Sequence, residues 1–176
     1  MKYVIVILSI LVGVYIHYAS ISIPFSEEVQ SFRLTGKNYG WKSSQENRTH
    51  IIFYQDYVSP QSKQDNVLVL LHGFPTSSYD WVKVLPSLQQ TFDRIIAPDF
   101  LGFGFSYTDC NAKSLIFRDK PIDHTYSIHE QADIVQSLLS HLKIKTYHIL
   151  CHDYAVSVAQ ELLSRQQVNM VRFYNF

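Results

Sequence analysis

The sequence predicts an α/β fold with a mostly parallel sheet, preceded by an N-terminal transmembrane helix. Three observations carry this reading. Two short runs, "NVLVLL" (66–71) and "RIIA" (94–97), are apolar without a break, the pattern of central strands covered on both faces. Segments with a helical repeat alternate with such strands, and that alternation marks a parallel sheet with helices packed on it. The first 24 residues carry a single formal charge, Lys2.

From Tyr3 to Ile23 about 21 residues pass without a formal charge, and roughly 20 suffice to cross the hydrocarbon core as a helix. A core helix so uniformly apolar would have no solvent face, which favours the membrane reading. Ser20-Ile21-Ser22 offers the small residues of a cleavage site. The apolar stretch nevertheless exceeds the roughly 7 to 15 residues of a signal-peptide core, so residues 1–24 are expected to be an uncleaved, single-pass anchor. Lys2 before it and Glu27 and Glu28 behind it put the N-terminus in the cytosol and the body in the lumen, at the endoplasmic reticulum membrane. In that placement "NRT" at Asn47 is a usable glycosylation acceptor.

After a break at Pro24, "SFRLTGKNYGW" and "THIIFYQD" carry alternating β-branched and aromatic residues and read as strands or a hairpin. "NVLVLL" follows as a buried strand, then "SSYDWVKVLPSLQQ" as a helix broken near Pro86, then "RIIA" as a second buried strand. The clearest helix is "SIHEQADIVQSLLSHL" (127–142). Ser127 and Glu130 make an S-x-x-E capping box, and Ile128, Ala132, Val135, Leu139 and Leu142 form one apolar stripe. "TYHILC" is the next strand and "VSVAQELLSR" the next helix.

Composition removes several classes of function. The 176 residues have a formal net charge of zero and no basic run longer than two, so the electrostatic footprint of a nucleic-acid binder is missing. The two cysteines, Cys110 and Cys151, make neither a disulfide framework nor a CxxC metal knuckle, although one disulfide between them stays open. No cofactor or metal is expected.

In sheets of this kind the chemistry gathers beyond the carboxyl ends of the strands. Three loops there carry unusual residues. In "HGFP" (72–75), Gly73 lets the backbone turn sharply, so that the amide of Phe74 can face a developing oxyanion; a plain strand-to-helix turn is the simpler alternative. "DFLGFGFS" (99–106) is no G-x-G-x-x-G fingerprint, since Tyr107 follows, and no ribose-binding acid lies about 20 residues on. Asp99, Gly102 and Gly104 are expected to hold a tight loop instead. "LCHDYAV" (150–156) puts Asp153 at a strand-to-helix corner. A nucleophile elbow needs small side chains two positions before and after the nucleophile, and Cys151 and Ala155 occupy those places. The alternative is that Asp153 only caps the helix after it.

Together, "HGFPTSSYDW", "DFLGFGFS", "YSIHEQADIVQSLL" and "LCHDYAVSVAQELL" resemble, in order and spacing, the epoxide-hydrolase-like branch of the α/β-hydrolase fold, over roughly residues 45–165. The resemblance implies that residues 30–176 are the N-terminal part of such a domain. It implies Asp153 as nucleophile, the backbone amides of Phe74 and Tyr154 as oxyanion hole, and a small apolar or lipid-like molecule as substrate. A carboxylate is ionised at neutral pH and attacks carbon without a base, which the later attack of water on the ester does need. His152, adjacent to Asp153, is expected to point to the opposite face, which leaves His72 and His124 as the next bases to consider.

The sequence departs from that family in three places. "YTDCNAKSLIFR" (107–118) reads as an insertion before Asp119-Lys120-Pro121. Ala155 stands where glycine is usual, and Tyr154 replaces the halide-binding tryptophan of dehalogenases, which counts against haloalkanes. The family's acid and histidine follow its nucleophile, yet all eight histidines here precede Asp153 and Glu161 is the one acid after it. The expectation is a truncated membrane-anchored hydrolase, inactive as this chain alone. The alternative is a non-catalytic membrane-anchored interaction protein on the same scaffold.

Overall fold

The computed structural model describes residues 2–20, 25–43, 48–59, 66–108, 124, 126–165 and 172–175. The chain divides into two units, Met1–Ser31 and Phe32–Phe176.

The first unit contains helix α1 (Lys2–Ser20), which corrects the membrane expectation. Among the described residues no helix is long and apolar enough to cross a membrane. The 19 residues of α1 rise only about 28 Å, against roughly 30 Å of hydrocarbon. Ser9, Gly13, Tyr15, His17, Tyr18 and Ser20 also interrupt its apolar character. The single-pass anchor and the placement at the endoplasmic reticulum that rested on it are overturned with it. Asn47, the acceptor of the glycosylation triplet, lies outside the described residues, whereas Arg48 and Thr49 lie within them.

Helix α2 (Glu27–Thr35) corrects a second expectation, because "SFRLT" is helical and only the stretch after Gly36 is strand. Ser26 accepts a hydrogen bond from the amide of Val29 at 3.4 Å, Glu27 and Glu28 fill the first turn and Arg33 the last. Both ends therefore suit the helix dipole.

In the second unit β1 (Lys37–Lys42), β2 (Thr49–Val58), β3 (Val67–Leu71), β4 (Arg94–Pro98), β6 (His148–Cys151) and β7 (Arg172–Asn175) make one sheet in the order β1-β2-β4-β3-β6-β7, with the short β5 (Tyr107–Thr108) on β2. β1, β2 and β5 pair antiparallel. β2 also meets β4 antiparallel, whereas β4, β3, β6 and β7 run parallel. Arg94 on β4 grips Asp56 on β2 through Nε at 2.9 Å and Nη2 at 3.0 Å, and Lys37 on β1 adds a third contact at 2.8 Å. The first two residues of the stretch read as an insertion are thus sheet, and 109–118 lie outside the described residues.

All five residues of β3 are buried, since both faces of the sheet are covered. Val67, Val69 and Leu71 face one core with Ile96, Ile149, Cys151 and the apolar sides of α4 (Ile128–His141) and α5 (Tyr154–Arg165). Leu68 and Leu70 face the other, with Ile95, Ala97 and Leu150. Each such side chain contributes about 1.5–3 kcal/mol of burial, which is why the run tolerates no polar residue. On that second side the expected broken helix is a 3₁₀ turn (Ser78–Trp81) followed by the short α3 (Leu85–Leu88). Pro86 lies in the first turn of α3 and starts that helix, because the amide it lacks has no helical partner there.

Ser127 caps α4 as expected, its Oγ accepting the amide of Glu130 at 3.1 Å. The buried face of α4 is broader than the expected stripe: Ile134 and Leu138 join it, and so does the polar Gln131. Cys151 is a free, buried thiol; Cys110 lies outside the described residues.

Candidate active site

β6 ends at Cys151 and α5 begins at Tyr154, so His152 and Asp153 make the whole corner. Asp153 takes it in the left-handed region, φ 55°, a conformation that costs an L-residue roughly 1–2 kcal/mol. Cys151 and Ala155 are both buried beneath it, so the methyl group of Ala155 is accommodated where the family usually has glycine. The carboxylate itself is exposed at the carboxyl end of the sheet.

Gly73 brings the loop after β3 against this corner. A Cβ there would lie 2.8 Å from Cε1 of His152 and 2.9 Å from Cβ of Asp153, so only glycine permits the approach. As a result the amide of Phe74, which precedes a cis peptide to Pro75, donates to Oδ2 of Asp153 at 2.8 Å. The amide of Tyr154 donates to the same carboxylate. These bonds, Phe74's above all, hold the Asp153 carboxyl below the ordinary 3.8, and the neighbouring His152 adds a smaller push in that direction. The structure thus brings together the three residues singled out in the sequence: Asp153, Phe74 and Tyr154.

The histidines are engaged elsewhere. His152 turns its Nε2 toward Oδ2 of Asp80 at 3.7 Å and meets the ring of Trp81 edge-on at 5.4 Å. His72 is fully buried beneath the loop. Its Nε2 accepts the amide of Phe100 at 2.9 Å, so its Nδ1 carries the proton and donates to the carbonyl of Gly73 at 2.8 Å. Both ring nitrogens being used, His72 ties two loops together and has no lone pair for a water. Burial, above all, pushes its pKa down from the ordinary 6.5. His124 pairs through Nε2 with Oε2 of Glu130 at 2.9 Å.

The loop 99–106 forms the tight support expected of it. Oδ1 of the buried Asp99 accepts the amide and hydroxyl of Ser78, at 2.7 and 2.5 Å, and Oδ2 accepts the amide of Phe105 at 2.7 Å. Gly102 and Gly104 turn with φ 89° and 50°. Sequence reasoning missed Gln131, whose side-chain amide donates to the carbonyl of Leu101 and accepts its N–H, both at 3.0 Å. Above this support Phe74 is 66% exposed, its ring edge-on to Phe103 at 5.8 Å, and Phe103 lies 6.4 Å from Tyr154. These three aromatic residues make an apolar surface beside the carboxylate.

Residues 66–171 match the family model for the alpha/beta hydrolase fold. The chain belongs to the α/β-hydrolase fold family. Among individual proteins it is similar to the mesoderm-specific transcript protein of Mus musculus, 47% identical over 146 residues that cover 82% of this chain and 38% of the relative. A soluble epoxide hydrolase of Corynebacterium is 37% identical over 92 residues, 52% of this chain and 27% of that one. Among solved structures, a probable hydrolytic enzyme of Pseudomonas aeruginosa superposes with a TM-score of 0.59 at 22% identity, covering 76% of this chain and 38% of that chain, a likeness of fold. The chain thus spans 38% of the length of the mesoderm-specific transcript relative.

Proposed function

We propose that this chain provides the nucleophilic half of a hydrolase that opens small apolar electrophiles, epoxides foremost, through an ester on Asp153. The observation that carries the reading is the Asp153 carboxylate lying within its own pair of backbone donors, Phe74 and Tyr154. Oδ2 is held by the amide of Phe74, which leaves Oδ1 to attack. The bond from Oδ1 to an epoxide carbon forms as the ring carbon–oxygen bond breaks, and the ring oxygen takes the electron pair and then a proton. An ionised carboxylate needs no base for this step. When water later adds to Cγ, negative charge develops on Oδ2, where the Phe74 amide is already in place. The aromatic surface of Phe74, Phe103 and Tyr154 suits an apolar substrate, and the similarity to a protein named soluble epoxide hydrolase supports the class.

Activating that water takes a general base, typically worth about 10²- to 10⁴-fold. No histidine follows Asp153 within these 176 residues, and His72 is occupied on both nitrogens. The 176-residue polypeptide is therefore expected to be alkylated once and not to turn over. Intact-mass measurement after exposure to a reactive aryl epoxide tests this, with peptide mapping to locate the adduct. One adduct on Asp153, absent in Asp153→Asn, supports the ester. An adduct that persists in Asp153→Asn, or none in the parent chain, rejects the nucleophile and favours a non-catalytic scaffold.

A further inference from the structure

Glu130, in the first turn of α4, lies next to two imidazoles, one from β2 and one only six residues before it in the chain. His50 lies on β2 and is fully buried, and the side chains of His124 and Glu130 are 2% and 15% exposed. One nitrogen from each histidine and a carboxylate oxygen of Glu130 lie within 4.8 Å of one another. Trp41 packs on the ring of His50 at 5.3 Å and Tyr126 on that of His124 at 4.5 Å, so an apolar wall keeps solvent from the cluster. A carboxylate in such a place must be matched by a cation, because unpaired burial costs several kcal/mol. A proton on an imidazole is one such cation; a metal ion that all three side chains share is another.

We propose that His50, His124 and Glu130 form a binding site for a divalent metal ion of the zinc class. Two imidazoles and one carboxylate are a donor set that zinc accepts, leaving a fourth position to water. With bonds of about 2.0–2.1 Å, tetrahedral donors stand roughly 3.3–3.4 Å apart. Nε2 of His124 and Oε2 of Glu130, now 2.9 Å apart, would separate by only about 0.4 Å as the ion replaces the proton between them. The ion would clip β2 and the segment at His124 to the start of α4, beside the loop that Gln131 supports. It is a structural brace and takes no part in the ester chemistry at Asp153.

The test uses the 176-residue polypeptide stripped with chelator and then titrated with zinc ion alone. One equivalent is expected to remain bound after gel filtration. At a hundredfold excess over the dissociation constant the midpoint of thermal unfolding should rise by roughly 5–10 °C. Glu130→Gln and His50→Gln should weaken binding about a hundredfold or more, since losing even an outer partner of a metal site costs 10–100-fold. His129→Ala, an exposed histidine 3.2 Å from Glu161, should bind zinc as the parent does. Cobalt ion in the parent chain gives a reading that needs no variant to fold: ligand-field bands from nitrogen and oxygen donors, without a thiolate charge-transfer band. No bound equivalent, a thiolate band, or binding lost in His129→Ala but kept in Glu130→Gln overturns the site.

Discussion

Oδ2 of Asp153 lies 2.8 Å from the amide nitrogen of Phe74, although the two residues are 79 apart in the chain. A serine at this corner would leave that amide to a substrate's carbonyl oxygen, whereas the carboxylate fills the place itself. The donors therefore act on the nucleophile before any substrate arrives.

Because those amides lower its pKa, the Asp153 carboxyl is expected to titrate below the ordinary 3.8. A group depressed in the folded state contributes stability above its unfolded pKa and loses it as pH falls through the folded value. A carbon-detected NMR titration of the Asp153 carboxyl would show a midpoint under 3.8 in the parent. Replacing Gly73 with alanine, which pushes the Phe74 loop away, should move it back up. A midpoint at or above 3.8 in the parent would mean that the amides do not hold the ion.

His72 gives the domain a different pH dependence. Burial lowers its pKa below 6.5, so the unfolded chain binds a proton that the folded chain refuses. Stability should be full above that unfolded value and decline as pH falls from 6.5 toward the folded value. Urea midpoints measured from pH 7.5 down to pH 5 should shift downward, and His72→Asn should flatten the slope. An unchanged midpoint across that range would place the histidine's proton elsewhere.

Gly104 sits at φ 50°, and a Cβ there would lie 2.1 Å from Oδ2 of Asp99. Gly104→Ala combines left-handed strain with displacement of a buried carboxylate from its donors, and should cost about 2–4 kcal/mol. Urea denaturation reads it. A loss under about 0.5 kcal/mol would show that the loop relaxes freely.

Gln131→Leu keeps the size of the side chain and removes both bonds to Leu101. Two buried backbone groups are left without their partner, at about 1–3 kcal/mol each. Equilibrium unfolding should register a loss of roughly 2–4 kcal/mol. A neutral result would mean that water takes over both bonds.

Much of this architecture could be read in the residues, and the misses have physical reasons. β3 was legible because burial on both faces demands an unbroken apolar run, and Asp153 because the corner demands small neighbours at Cys151 and Ala155. "SFRLT" misled because a nine-residue helix announces itself mainly through its ends, at Ser26 and Glu27, while Phe32 and Thr35 are at home in strands. The uncharged stretch in α1 is interrupted by serines, a glycine and a histidine, which absence of charge alone does not reveal. Gln131 gave no signal, since a polar residue on an apolar stripe looks like an interruption until its partner, 30 residues away in the chain, is seen.

β3 lies between β4 and β6, with Val69 paired on both sides and every one of its side chains buried. No local fraying can bring its amides to solvent, so their protons should exchange with deuterium only when the whole second unit opens. Exchange at Val69 would then serve as a built-in gauge of global stability, while amides at the rim of the sheet, on β1, report shallower fluctuations on a faster clock.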